Sequence, residues 1–98
     1  METDYQNVMD RFTQAGLDLS YQVSVDDFPH SPTTVAHAVI RHYTGKGYDL
    51  PRGGLSQTEG DCRVELKKEG QPGVSLLATR VGQRTRAVLT DLASLLAA

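Results

Sequence analysis

The chain has 98 residues, of which 39% are hydrophobic and 22% are charged. This length and composition allow one hydrophobic core, so we expect residues 1–98 to form a single domain. Ten Lys and Arg against twelve Asp and Glu give a formal net charge of -2. That balance excludes a protein-wide positive field that would hold a polyanion, so nucleic-acid binding would need a local basic patch.

The cysteine content and the first residues of the chain bear on its compartment. Cys62 is the only cysteine and cannot form an internal disulfide. The acidic start, Met1 to Asp4, lacks the basic and apolar regions of a signal peptide, and no apolar stretch is long enough for a membrane helix. We therefore expect a cytoplasmic protein, and its preference for Arg over Lys together with its Ala and Leu content is compatible with a bacterial source.

The first third of the chain predicts a helix followed by a strand. Thr3 and Gln6 have the spacing of a capping box, and Gly16 predicts the end of the helix. Between them, apolar residues recur at helical intervals at Tyr5, Val8, Met9 and Phe12. From Leu17 to Asp26 apolar and polar residues alternate, which predicts a strand with one exposed face.

A second helix is predicted after the turn that ends at Ser31. Ser31 can cap this helix and Pro32 suits its first position, while Gly45 and Gly47 predict its end. Its apolar positions are Val35, Ala36, Val39, Ile40 and Tyr43. Residues 48–60 show neither helical nor strand periodicity, so we expect a long loop there.

The last third predicts a hairpin and a third helix. Two alternating runs, 62–67 and 74–79, flank a turn at 70–73 and predict two antiparallel strands. Apolar residues then fall on one helical stripe, at Val88, Leu89, Leu92, Leu95 and Leu96. The predicted fold is α+β with the order α-β-α-β-β-α: two layers, with a three-stranded, largely antiparallel sheet and helices on one face. The helices should cover the face that bears Tyr21, Val23, Val64 and Leu76.

Neither thiol nor metal chemistry is predicted. Cys62 alternates with polar residues on the inward side of its strand, where a thiol stays protonated and inert. His37 and His42 are five residues apart, so a helix separates them by about 500° and places them on different faces. Asp26 and Asp27 are adjacent and face opposite sides of an extended chain. We therefore expect no metal, no cofactor and no paired-carboxylate site.

One side of the second hairpin strand predicts a protein interface. Leu77 and Val81 point away from Val74 and Leu76, which places apolar groups, with Thr79 between them, on a face that should be wet. Exposed apolar groups beside an arginine have the composition of an interface. The leading hypothesis is thus a small non-enzymatic interaction or regulatory module that acts by contact, with a homodimer as its simplest version.

The alternative is anion, nucleotide or nucleic-acid binding through arginines. Arg80, Arg84 and Arg86 gather where the third helix is predicted to begin, and cations there oppose the partial positive charge of free helix N–H groups. An anion, or carboxylates from the protein or a partner, would compensate. The negative net charge and the lack of interleaved aromatic residues disfavour nucleic acid.

An enzyme is the third hypothesis. Tyr43, Tyr48, His42 and Asp49 surround the predicted end of the second helix and could line a pocket shared between subunits. The spacing assigns neither a nucleophile with its base nor a reaction, and aromatic packing at the helix end explains the same residues.

Overall fold

The computed structural model describes residues 2–17 and 19–92. In chain order these residues form α1 (Glu2–Gln14), β1 (Gln22–Phe28), α2 (Pro32–Thr44), β2 (Leu55–Thr58), β3 (Asp61–Lys68), β4 (Gln71–Val81) and β5 (Arg84–Asp91). The strands form one sheet in the order β1-β5-β4-β3-β2, and every neighbouring pair is antiparallel. The α+β class is therefore correct, whereas the predicted three strands, three helices and order α-β-α-β-β-α are wrong.

The predicted third helix is the main error. Its described part, from Arg84 to Asp91, is strand β5, which pairs with both β1 and β4. Gly82 has a φ of 63° and lies in the turn that brings Arg84 opposite Val81. A glycine at the start of such a short turn is typical of β-hairpins. Leu95 and Leu96, which completed the predicted helical stripe, lie outside the described residues.

The predicted loop 48–60 contains the missed edge strand β2. Leu55 pairs with Val64 and Thr58 with Asp61, so β2 and β3 form a hairpin across a turn that contains Gly60. Gly54 precedes β2 at a close backbone approach, where an added Cβ would come within 2.7 Å of the Glu65 carbonyl oxygen. The lack of alternation in β2 follows from its edge position, because only Leu55 packs against the core.

The first strand is also shorter than its alternation predicted. It begins at Gln22, while Leu17 is buried directly after α1 and Leu19 is 93% exposed. Tyr21 precedes the strand and is 45% exposed, so it is not part of the core that the helices cover. Asp18 lies outside the described residues.

The core lies between the two helices and one face of the sheet. Ser31 caps α2 by accepting a hydrogen bond from the Thr34 N–H at 3.2 Å, as its sequence predicts. The rings of Phe12 on α1 and Phe28 on β1 meet edge to face at 5.1 Å. The sheet contributes its inward residues, which are Val23, Val25, Val64, Leu66, Val74, Leu76, Ala78, Ala87 and Leu89. Because both described helices pack on this face, they leave the opposite face of the sheet uncovered.

Candidate functional site

The face of the sheet that no described element covers, called the outer face below, is built by alternate residues of all five strands. Strand register places one outward side chain beside the next across the sheet, because directly paired residues point to the same side. Its side chains belong to Gln22, Ser24 and Asp26 on β1; Arg84, Arg86, Val88 and Thr90 on β5; Ser75, Leu77, Thr79 and Val81 on β4; Asp61, Arg63, Glu65 and Lys67 on β3; and Ser56 and Thr58 on β2.

An apolar strip runs along the central strand of the outer face. Leu77 is 36% exposed and Val81 is 46% exposed. Thr79 lies between them on the same side of β4 and is half-buried. Val88 of β5 is paired directly with Leu77 and widens the strip. The structure therefore brings together the three residues predicted to form a partner interface, on a central strand that is paired on both sides.

Charged side chains of both signs flank this strip. On one side, Arg86 of β5 pairs with Asp26 of β1 through an Nε to Oδ1 distance of 3.4 Å. On the other side, Asp61 and Arg63 of β3 form no ion pair with any described residue. The face as a whole carries Asp26, Asp61 and Glu65 against Arg63, Lys67, Arg84 and Arg86. It is thus nearly neutral, with an apolar centre and a charged rim.

The predicted arginine cluster is divided between two faces. Arg84 and Arg86 are outward residues of β5, so no helix begins at them and the conflict with a helix N-terminus does not arise. Arg80 instead lines a cleft of about 180 Å³ at the end of the sheet, between Ser31 and Thr33 at the start of α2 and the β2–β3 turn, where Thr58 and Asp61 also line it. The helix that motivated a joint anion site is absent among the described residues, and Arg80 points to the opposite side of the sheet from Arg84 and Arg86, because it pairs with the buried Thr85. A joint site of the three arginines stays a prediction.

Cys62, His30 and His42 have different surroundings. Cys62 is 1% exposed, as its inward position predicts. His30 packs against the Phe28 ring at 6.2 Å, and its buried Nδ1 has no hydrogen-bond partner in the described chain. His42 packs against Tyr43 at 5.0 Å. Among residues 2–17 and 19–92, no three His, Cys, Asp or Glu residues lie close enough to hold a metal ion.

The aromatic residues at the end of α2 form packing contacts. Tyr43 and Tyr48 are 2% and 7% exposed, and their rings meet at 5.4 Å. The Tyr43 hydroxyl donates a hydrogen bond to Asp91 Oδ2 at 2.9 Å. The backbone of Asp49 pairs with Lys67 of β3, which ties the segment after α2 to the sheet. The tyrosines therefore fill the interior at this end of the sheet, and Asp91 is a buried partner that the sequence pattern did not identify.

Ionisation of two buried groups predicts a loss of stability at alkaline pH. Burial raises the pKa of the Cys62 thiol, against an opposing hydrogen bond with Gln57. Burial also raises the pKa of Tyr48, and the negative charge of Asp91 adds to this effect. Unfolded Cys and Tyr ionise at about 8.5 and about 10. Because ionisation is easier in the unfolded chain, these groups favour folding fully below those values, and the contribution is lost as pH rises through the higher folded pKa values.

Denaturant unfolding at a series of pH values between about 7.5 and 10.5 checks this prediction. We expect the free energy of unfolding to fall with pH, and the first part of the fall to be shallower in Cys62→Ala than in the wild type. The comparison uses the slope against pH, because removing the thiol also changes the stability itself. Identical slopes in the two proteins would contradict the role of Cys62.

A second cleft lies between the two helices, on the side of the molecule opposite the outer face. It has a volume of about 260 Å³ and is lined by residues of α1 and α2, including Tyr5, Met9, Arg41 and His42. The Arg41 guanidinium stacks 5.5 Å from the centre of the Tyr5 ring, which joins the two helices across the cleft.

The sequence pattern did not identify Asp61, Arg63 and Val88, or the ion pair of Asp26 with Arg86, as parts of the candidate site. One signal for them is the alternation in Arg84–Asp91, where Thr85, Ala87 and Leu89 are buried and the residues between them point outward. The other is the pair of Glu-Gly steps at 59–60 and 69–70, which mark the two turns on either side of β3.

Within the described chain, no helix is long and apolar enough to cross a membrane. Comparison of the chain with known protein families, with curated proteins and with solved structures finds no match.

Proposed function

We propose that this protein is a non-enzymatic interaction module that acts by contact through its outer face, centred on Leu77, Thr79 and Val81. The observation that carries the proposal is the apolar strip of Leu77 and Val81, 36% and 46% exposed, in the middle of a sheet face that neither described helix covers. A sheet face of this kind resembles half of a two-sheet sandwich, in which a second layer buries the apolar side chains.

The composition of the outer face supports this function. Protein interfaces combine an apolar centre with a polar rim, and arginine is enriched in them over lysine. The strip has Arg63 on one side and Arg84 and Arg86 on the other. Its side chains stand on paired strands, so little conformational freedom is lost when a partner binds.

The edges of the sheet are less suited to binding than its face. Strand β2 has only four residues, and β1 contains an irregularity between Val25 and Phe28. Asp27, at this irregularity, pairs with Arg11 of α1 at 3.1 Å. Short strands, bulges and charges are the devices by which sheets prevent edge-to-edge pairing. Contact through the outer face is therefore favoured over strand addition.

The test of this proposal replaces one leucine on the outer face and one elsewhere. Leu77→Glu is expected to reduce partner binding by about 100-fold or more, since it places a charge in the centre of an apolar contact. Leu50→Glu is the matched control, because Leu50 is 38% exposed, nearly the same as Leu77, but lies in the loop before β2. Binding is measured by sedimentation of the purified protein and by quantitative co-purification from the native cells.

Equal binding by the two variants and the wild type would overturn the proposal. Both substitutions are at exposed positions, so the free energy of unfolding of each variant is expected to lie within about 1 kcal/mol of the wild-type value. Denaturant unfolding of both variants shows whether a loss of binding reflects the surface alone.

Anion binding is the second candidate, now centred on Arg80. The cleft that Arg80 lines lies at the start of α2, whose first turn contains no acidic residue. Asp61 lines the same cleft, which disfavours an anion there. Saturable binding of inorganic phosphate that weakens with salt and is lost in Arg80→Gln, but not in Arg84→Gln, would favour this candidate over the contact function.

A further inference from the structure

We infer that the partner of the outer face is a second copy of this chain, packed face to face so that the two β4 strands lie over each other along a twofold axis parallel to them. This inference rests on the proposed contact function and names its partner. It also assigns a specific intermolecular pair, Arg86 of one copy with Asp61 of the other.

The apolar strip fits itself in this arrangement. A twofold axis along β4 keeps each residue of β4 at its own level, so Leu77 faces Leu77 and Val81 faces Val81 of the second copy. Leu77 and Thr79 are two residues apart, a step of about 7 Å along the strand. The axis therefore stacks apolar on apolar groups at two levels and pairs the Thr79 hydroxyls between them.

One pair of charges on the outer face is complementary under the same axis, which also places Arg63 of one copy over Val88 of the other. The rotation exchanges the two neighbours of β4, so that β5 of one copy lies over β3 of the other. Thr79 pairs with Asp61 on one side and with Arg86 on the other, which places these two charges at one level of the sheet. Each Arg86 thus faces Asp61 of the second copy, and the contact occurs twice. Asp61 has no ion pair within the described chain, whereas Arg86 already pairs with Asp26 of its own copy at 3.4 Å, so in the dimer each Arg86 would lie between two carboxylates.

The competing arrangement has its axis across the strands. With the axis between the levels of Leu77 and Thr79, Leu77 would face Thr79 of the second copy and Val81 would face Ser75. Asp61 would then meet Arg63 instead of Arg86. This arrangement also forms a charge pair, but it places hydroxyl groups against the apolar side chains of the strip. The axis along β4 buries apolar groups against each other and is therefore favoured.

The outer face is of limited width, which favours a weak dimer. Five strands spaced about 4.8 Å apart give a face about 20 Å wide between the outermost strands. A contact of this size lies at the lower end of the range for specific interfaces, and we expect a dissociation constant between about 10 and 1000 µM.

A charge-exchange experiment tests the pair. Arg86→Glu and Asp61→Arg are each expected to weaken self-association about tenfold, because each places like charges together twice. An equimolar mixture of the two variants is expected to regain the wild-type affinity. In the mixed dimer the introduced glutamate of one copy meets the introduced arginine of the other, and the native Asp61 meets the native Arg86. NMR titration of one isotope-labelled variant with the other unlabelled variant measures this affinity.

The matched control uses the neighbouring outward arginine. A mixture of Arg63→Glu with Asp61→Arg is expected to show no recovery of affinity. Recovery in this mixture, without recovery in the mixture of Arg86→Glu with Asp61→Arg, would overturn the axis along β4. A wild-type protein that remains monomeric at about 1 mM, above most of the expected range, would overturn the second copy as the partner. In that case the proposed contact function still stands if Leu77→Glu, and not Leu50→Glu, loses a partner in the co-purification.

Discussion

Replacing Phe28 with alanine is expected to lower the free energy of unfolding by about 3–5 kcal/mol. Phe28 is fully buried at the end of β1, and its ring meets Phe12 of α1 edge to face at 5.1 Å. The Arg11 guanidinium lies 5.9 Å from the centre of the same ring. Truncation would remove the apolar contact between β1 and α1 and leave a cavity that the surrounding strands cannot close.

Urea unfolding measures this effect, with an exposed leucine as the control. Leu19→Ala is expected to change the free energy of unfolding by less than about 0.5 kcal/mol, because Leu19 is 93% exposed. Small domains have only about 5–15 kcal/mol of stability in total, so Phe28→Leu provides a milder variant with a smaller expected loss. A loss below about 1 kcal/mol in Phe28→Ala would contradict the placement of this ring in the core.

The second large effect is expected from Tyr43→Phe, which should cost about 1.5–3 kcal/mol. Tyr43 is 2% exposed, and its hydroxyl donates to Asp91, which is 9% exposed, at 2.9 Å. The bond connects α2 to the end of β5. Removing the donor takes one hydrogen bond from a buried carboxylate without changing the shape of the ring, so the loss reports on the hydrogen bond itself.

Tyr21→Phe is the matched control for this substitution. Tyr21 is 45% exposed and its hydroxyl forms no hydrogen bond within the described chain, so the expected change is within about 0.5 kcal/mol. Denaturant unfolding of both variants at neutral pH measures the two changes in the free energy of unfolding. Equal stabilities of Tyr43→Phe and the wild type would show that the Asp91 contact contributes nothing to folding.

Local signals in the sequence predicted α1 and α2 and the inward residues of β1, β3 and β4. Ser31 and Pro32 are adjacent in the sequence and predict the start of α2 by themselves. The alternation of Cys62, Val64 and Leu66 predicts the inward side of β3 without knowledge of its partner strand. The third helix was predicted wrongly because Val88 and Leu89 satisfy both periods: they fit a helical stripe with Leu92, and they alternate as one outward and one inward residue of β5.

The candidate site was predictable where it depends on one strand and not where it depends on several. Leu77 and Val81 are an odd number of residues from Val74 and Leu76, so in any strand they point to the opposite side. Their outward direction therefore follows from the sequence, whatever the rest of the fold is. The partners of these residues follow from register instead. Arg63 and Val88 lie 14 and 11 positions away from Leu77 in the sequence, and only the pairing of β3, β4 and β5 brings the three together.

The central claim is that the outer face binds a protein partner, and site-specific photo-crosslinking tests it most directly. A benzophenone amino acid placed at position 77 should, on illumination in the native cells, give a discrete crosslinked product that contains this chain. The same group at position 50 should give none, because that loop lies outside the face. Products of equal yield from both positions, or none from position 77, would contradict the claim.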